Sequence, residues 1–297
     1  MRHSKSFILA VSLLLLGSAA YAEDDMDALM AQVAPQDGPV IATFKSTRII
    51  DMPTIEVVGK GDLNFSLSHH LGPISTGPGQ AFGLDMAKIR LQFEYGLTDR
   101  LQVELGRTND GFKPVDLSLK LRVLRQSTSG SMPVSLTVQA AGFYGTSFTG
   151  SDTLLDLTPV RRISSTYHLL IARKWNDKLS TELMGALVLR NLYPSVTDHF
   201  ATPIAGIGGR YKLSQRIAVT ADFAMIVPPT YNGQNYSPVA GIGLDMDTGG
   251  HIFQVFICNS PWLNDDRLLT ETSGSLGDFG TDMRIGFQIN RTFALGK

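Results

Sequence analysis

The 297-residue chain has a single cysteine, Cys258. An internal disulfide is therefore excluded, and disulfide-stapled scaffolds with it. No apolar run approaches the ~18–20 residues that a spanning helix needs, so helices do not carry this chain through a bilayer. Charge of one sign is also lacking. The 26 basic side chains stand against 27 acidic ones, which by itself points to no partner, and no nucleic-acid partner is expected. The signatures G-x-S-x-G, H-E-x-x-H, the P-loop and C-x-x-C are absent. No catalytic residue, cofactor or metal site is expected from them. His69 and His70 are adjacent, and neighbouring strand residues face opposite ways, so this pair cannot share a metal. His70 lies on the same face as Ser66 and Ser68, which suggests a Ser/His pair on a lipid-acting barrel. Against it, His70 is expected to face the lumen and no Asn or Asp orienter is apparent.

What is present is alternation. In Ala87–Arg107 the residues Ile89, Leu91, Phe93, Tyr95 and Leu97 are apolar, with Lys88, Arg90, Gln92 and Glu94 between them. Leu101, Val103 and Leu105 then alternate with Arg100, Gln102 and Glu104. A period of two is a strand signal, since successive side chains point to opposite faces. The polar break at Thr98-Asp99-Arg100 makes the pair a hairpin. Its apolar residues share a face only if an odd number of residues closes the turn, so a three-residue loop is predicted. Strands of this length fit the ~9–11 residues that cross a bilayer at a tilt. An alternate face carrying full charges fits a wall with lipid on one side and water on the other.

Before this stretch, residues 1–22 read as a secretory signal peptide: Arg2, His3 and Lys5, then the apolar run Phe7–Leu16, then Ala20-Tyr21-Ala22. Residues 23–39 read as an acidic, Pro- and Gly-punctuated periplasmic lead-in. Residues 40–60 read as a short strand pair broken at Asp51-Met52-Pro53, placed either as a plug in a lumen or below it. Residues 61–297 read as the barrel.

Twelve strands are predicted there, over 61–71, 87–97, 100–108, 115–125, 132–145, 162–175, 178–191, 202–213, 216–227, 236–247, 250–258 and 281–293. Their connections alternate long and short, as the external loops and periplasmic turns of outer-membrane barrels do. The fold class is all-β, a transmembrane antiparallel up-and-down barrel of about 12 strands. Three short turns repeat one pattern, at Tyr95–Leu101, Lys174–Leu179 and Tyr211–Ile217. Each has small polar residues followed by a cation. Tyr95, Trp175 and Tyr211 beside them read as an aromatic girdle.

The inward face is expected to carry Lys88, Arg90, Arg100, Lys120, Arg122, Arg190, Arg210, Lys212, Arg216 and Arg284 against Glu94, Glu104, Asp116, Glu182, Asp222 and Asp245. Lys or Arg facing lipid at the midplane costs roughly 2–4 kcal/mol, so confinement to one parity is a requirement. The basic excess suggests anionic solutes. Cys258 is expected as a buried, inert thiol. Asp265-Asp266, Glu271 and Asp278 are expected as a solvated acidic loop, with Ca²⁺ binding as the lesser alternative.

The ordered set Lys45-Ser-Thr-Arg-Ile-Ile, Gly59-Lys-Gly-Asp-Leu-Asn-Phe, His69-His-Leu-Gly-Pro, Phe82-Gly-Leu-Asp and Tyr95-Gly-Leu-Thr-Asp-Arg-Leu resembles a family of outer-membrane β-barrel proteins classed as a domain of unknown function. The resemblance is strongest over 43–125. It implies a fold and a location, and no activity. The functional expectation is a narrow channel or transporter for a polar solute. The alternative is a closed structural or assembly barrel that docks a periplasmic partner through residues 23–59; a lipid-acting enzyme stands third. Outer-membrane lipid and the barrel-assembly machinery are the expected partners, the latter because the final strand ends in Phe293.

Overall fold

The computed structural model describes residues 38–147, 159–191, 199–228 and 236–295. The leader expected over 1–22 and most of the lead-in lie outside these. From Asp62 the chain runs through twelve antiparallel strands: β1 (Asp62–Pro73), β2 (Lys88–Gly96), β3 (Leu101–Thr108), β4 (Pro114–Leu124), β5 (Ser135–Gly145), β6 (Ile163–Lys174), β7 (Leu179–Arg190), β8 (Ala201–Lys212), β9 (Ile217–Ile226), β10 (Val239–Asp247), β11 (Ile252–Cys258) and β12 (Arg284–Ala294). Each pairs with its sequence neighbours, and β1 pairs with β12, so the sheet closes into a barrel. Closure leaves no strand edge, which is the condition for a sheet to sit in hydrocarbon.

The alternation falls as the pattern requires. Arg90, Lys120 and Arg210 are 4%, 2% and 8% exposed, while Leu91, Leu119 and Tyr211 are 43%, 51% and 47% exposed. Three cations depart from the expected confinement. Arg107, Arg173 and Arg291 are exposed on the outer side. All three lie near strand ends, where a long side chain reaches the polar interface. Arg173 and Arg291 also lie over the rings of Trp175 and Phe293.

The three repeated turns share one hydrogen-bond scheme. Leu97, Trp175 and Leu213 donate their N–H groups to the carbonyls of Leu101, Leu179 and Ile217, which leaves three residues in each loop. The first loop residue then caps the turn. The Thr98 hydroxyl accepts from the N–H groups of Arg100 and Leu101, Asn176 Oδ1 from Lys178 and Leu179, and the Ser214 hydroxyl from Arg216 and Ile217. A short polar side chain at this position is what the local hydrogen bonding demands. The sequence repeat is therefore a turn code.

Candidate functional site: the occupied lumen

The interior is filled by two segments of the chain itself. The first is residues 40–60. It does not form a regular strand pair; a single bridge joins Arg48 to Pro53, and the Ile49 N–H bonds to the Met52 carbonyl to close a tip. Val40 bonds to the Gln126 carbonyl at the turn end of the barrel, and the Gly61 N–H bonds to the Gly96 carbonyl at that same end. The segment thus enters and leaves by the turn end, with its tip against the inward-facing side chains of the wall.

Wall carboxylates hold the tip. Asp222 Oδ2 accepts the backbone N–H groups of Ile50, Asp51 and Met52 at 3.1, 2.7 and 2.8 Å. Successive N–H groups converging on one anion form a nest. Glu182 accepts from the Ile55 N–H at 2.8 Å, Gln102 from Val58 at 2.9 Å, and Glu94 from the Thr47 hydroxyl at 2.8 Å. All but the Thr47 bond satisfy backbone N–H groups that an irregular buried segment would otherwise leave orphaned.

One side of the lumen departs from the expectation of an ionic interior. Leu170, Ala172, Met184, Ala186, Val188, Ile204, Ala224 and Ile226 face inward and form a buried cluster with Ile49, Ile50, Met52 and Ile55. Strands β6 to β9 are thus apolar on both faces over part of their length, because a protein segment and not water lies against them. The sequence carried the signal in the unbroken apolar run Leu183–Leu189, which reads as a strand buried on both sides. Three glycines make the space, and at one of them, Gly208, a side chain would collide with Ile49 Cδ1. A side chain at Gly206 would meet Met52 Sδ at 2.9 Å, and one at Gly241 would meet Ile50 Cγ2 at 2.8 Å.

The second occupant is the connection between β11 and β12. Its Asp265–Leu268 helical turn is buried, with Asp265 paired to Arg48 of the first segment at 2.7 Å. Asn264 donates to Asp116 at 3.3 Å, Ser164 donates to Asp266, and Glu271 pairs with Arg190 and Arg267. The expectation of a solvated acidic loop is therefore wrong for Asp265, Asp266 and Glu271, which answer buried cations and hydroxyls. Asp278 is exposed. Burial alone would raise Asp265, but Arg48 and His168 hold it well below the usual carboxylate range. Burial pushes Asp266 up to about 7, against the opposing pull of the Ser164 hydroxyl and Arg267, with Glu271 reinforcing it.

This has a pH consequence. Asp266 starts from an ordinary value of 3.8, so the docked loop prefers the protonated form. The docking stability it contributes is complete below about pH 4 and lost as pH rises through about 7. Asp265 stays ionised across that window. Trp262 reports on docking, because Lys88 and Arg267 each lie 3.5 Å from its ring centroid and its N–H bonds to the Glu271 carbonyl. The Trp262 fluorescence of the folded protein is expected to change with a midpoint near pH 7, and Asp266→Asn is expected to flatten that transition. A pH-independent signal would contradict the assignment.

The charges named from sequence divide in two. Arg90, Lys120, Arg122, Arg190 and Arg210 are buried in the wall beside Glu94, Glu104, Asp116, Glu182, Asp222 and Asp245. Arg90 makes a two-pronged pair with Asp116 at 2.6 and 2.8 Å and reaches Glu104 at 3.2 Å. Arg122 reaches Glu56 at 3.4 Å, and Arg210 reaches Asp245 at 3.6 Å. Lys88, Arg100, Lys212, Arg216 and Arg284 lie at strand ends or in turns and are partly or fully exposed. The basic excess is thus a property of the mouths and not of the middle. Tyr95, Trp175 and Tyr211 are exposed on the outer face beside the turns.

His70 points inward and His69 stacks on Phe287 at 4.2 Å, as opposite strand faces require. Sequence reading missed the company that His70 keeps. Asp51, from the inserted tip, places Oδ1 3.7 Å from His70 Nε2, and the fully buried Cys258 places Sγ 4.0 Å from the same nitrogen. Cys258 lies 188 positions from His70, so no local motif announces the group.

A remaining void of about 460 Å³ lies at the turn end, lined by residues of the inserted segment together with Asn64, Asp247 and Thr292. Between the two occupants lies a cavity of about 10 Å³, beside Arg48, Asp51 and His70.

A closed twelve-stranded barrel with an apolar outer belt and a polar, self-filled interior defines a membrane β-barrel. The chain belongs to the membrane bound beta barrel domain family (DUF5777), which matches residues 44–293 and so includes most of the inserted segment. Among solved structures it is similar to the NanC porin, at 7% identity over 78% of this chain and 98% of that one, with a TM-score of 0.47. The KdgM porin matches at 9% identity over 78% and 99%, with a TM-score of 0.48. The COG4313 outer membrane channel from Pseudomonas putida F1 matches at 13% identity over 80% and 97%, with a TM-score of 0.49. No curated protein matches the chain.

Proposed function

We propose that this protein is an outer-membrane channel for small polar solutes, held shut by its own residues 40–60 and by the loop between β11 and β12. The observation that carries the reading is the nature of the filling. The wall is wide enough to admit two chain segments, and over β1 to β5 it is lined by ionisable and amide side chains. Such groups stay satisfied if water replaces the segment. The inserted segment contributes no strand to the barrel, so it can leave without opening the wall.

The cations at the mouths would draw anions toward the entrance, while the paired charges of the middle favour neither sign. Tyr95, Trp175 and Tyr211 would anchor the turn end in the interface. A second reading, a closed barrel that docks a periplasmic partner, is favoured by the Asp222 nest, which fixes the tip firmly. Uptake by vesicles separates the two. Proteoliposomes holding a variant without residues 43–57 are expected to swell in isosmotic solutions of small sugars and of organic-anion salts faster than those holding the full chain. Rates equal to the full chain, from a folded variant, would reject the channel.

A further inference from the structure

We propose that Asp51, His70 and Cys258 form a binding site for a thiophilic divalent cation of the zinc type, which pins the inserted tip to strands β1 and β11. The ligand atoms of the three residues all lie within 4.8 Å of one another, and all three residues are buried. A tetrahedral zinc site places its nitrogen, oxygen and sulfur ligands roughly 3.3–3.6 Å apart, given metal–ligand bonds of about 2.0–2.3 Å. The separations from His70 Nε2 are 3.7 Å to Asp51 and 4.0 Å to Cys258, and Cys258 Sγ is also 3.9 Å from Nδ1, so the imidazole must turn in its plane as well as close in for Nε2 and Sγ to share a metal.

Three further features point to a ligand. First, the side chain of Asp51 is 1% exposed, yet neither of its carboxylate oxygens has a hydrogen-bond partner. An unanswered buried carboxylate is costly, and a cation answers it. Second, His70 Nδ1 lies 3.0 Å from the Ser260 carbonyl. An N–H donated there leaves the lone pair of Nε2 available, which is the arrangement that orients most metal-binding histidines. Third, a small cavity with room for about one water-sized group adjoins Asp51 and His70, with Arg48 and Arg90 also on its wall. A thiol, an imidazole and a carboxylate together suit zinc better than calcium or magnesium, which take oxygen ligands.

Binding converts Cys258 from S–H to a metal thiolate and releases that proton to solvent. The resulting thiolate and the Asp51 carboxylate balance the charge of the dication. Because two ligands come from the wall and the third from the inserted segment, the metal enters as the tip docks and leaves as it withdraws. The site does not depend on the channel reading; a permanently closed barrel would bind the metal equally.

Cobalt(II) is the probe, since a cobalt–thiolate bond gives a charge-transfer band in the near ultraviolet. The full chain is stripped with chelator and cobalt is added both during refolding and to the folded barrel, followed by zinc. One equivalent is expected, with the band appearing fully on refolding, more slowly in the folded barrel, and disappearing as zinc displaces cobalt. Cys258→Ser is expected to abolish the band. Asp51→Asn leaves the wall untouched and is expected to weaken binding at least about tenfold, the lower end of what even an outer-shell change costs. Heat-modifiable electrophoretic mobility confirms that each variant folds. Absence of the band under both protocols would overturn the proposal, as would cobalt binding undiminished in Cys258→Ser.

Discussion

Deleting residues 43–57 is expected to turn a nearly silent barrel into a steady conductor in planar bilayers. The current should rise at least about tenfold, as a filled lumen gives way to the water-filled interior that wider barrels carry. The deletion spares the twelve strands and the Gly61–Gly96 contact where β1 begins. It removes Arg48, so Asp265 loses its ion pair and the second occupant loses its anchor at the centre. It also removes the apolar residues that cover the inner face of β6 to β9, and Leu170, Met184 and Val188 then meet water. The barrel should fold with lower stability and conduct. A milder form is Asp222→Ala, which strips the acceptor from three consecutive N–H groups and should give intermittent openings. A folded deletion barrel that passes no current would assign the chain to the closed class.

The second large effect is expected at Arg90. Replacing it with Met leaves Asp116 and Glu104 buried without their cation, and breaking a buried pair in this way costs about 3–5 kcal/mol. Asn264 still donates to Asp116, but at 3.3 Å and without a charge. The loss should appear as a lower midpoint in urea unfolding of the barrel. The double variant Arg90→Met with Asp116→Leu should recover part of it, because one of the two stranded carboxylates is gone while Glu104 remains. A cost below about 1 kcal/mol would mean that water already screens the pair, as it does at surfaces. That outcome would contradict a filled lumen.

The comparison of sequence with structure is most informative where the two differ. The three-residue loop of the β2–β3 hairpin was legible, since parity demands an odd number, while its strand limits moved by one residue and the Thr98 cap came only with the structure. The strand count was legible because each strand alternates alone, whatever its neighbours do. Strand limits moved by a few residues, as at β5, which begins at Ser135 after Pro133. What escaped was everything set by long-range meeting. Asp265 looks like a loop carboxylate until Arg48, 217 positions away, is brought to it. Asp51 looks like a turn residue until His70 and Cys258 close round it. The inward methionine and aliphatic residues of β7 contradict a watery lumen only once residues 49–55 occupy it. Alternation reports which side of a wall a residue faces. It does not report what stands on the other side.

The claim on which the account turns is that residues 40–60 lie inside the barrel. Hydrogen exchange of the untouched full chain measures this directly. The amides of Ile50, Asp51, Met52, Ile55 and Val58 are bonded to buried wall side chains, so peptides spanning them should exchange about as slowly as those of the strands. Complete exchange of these peptides at the earliest time point, with the strands still protected, would place the segment outside and contradict the account.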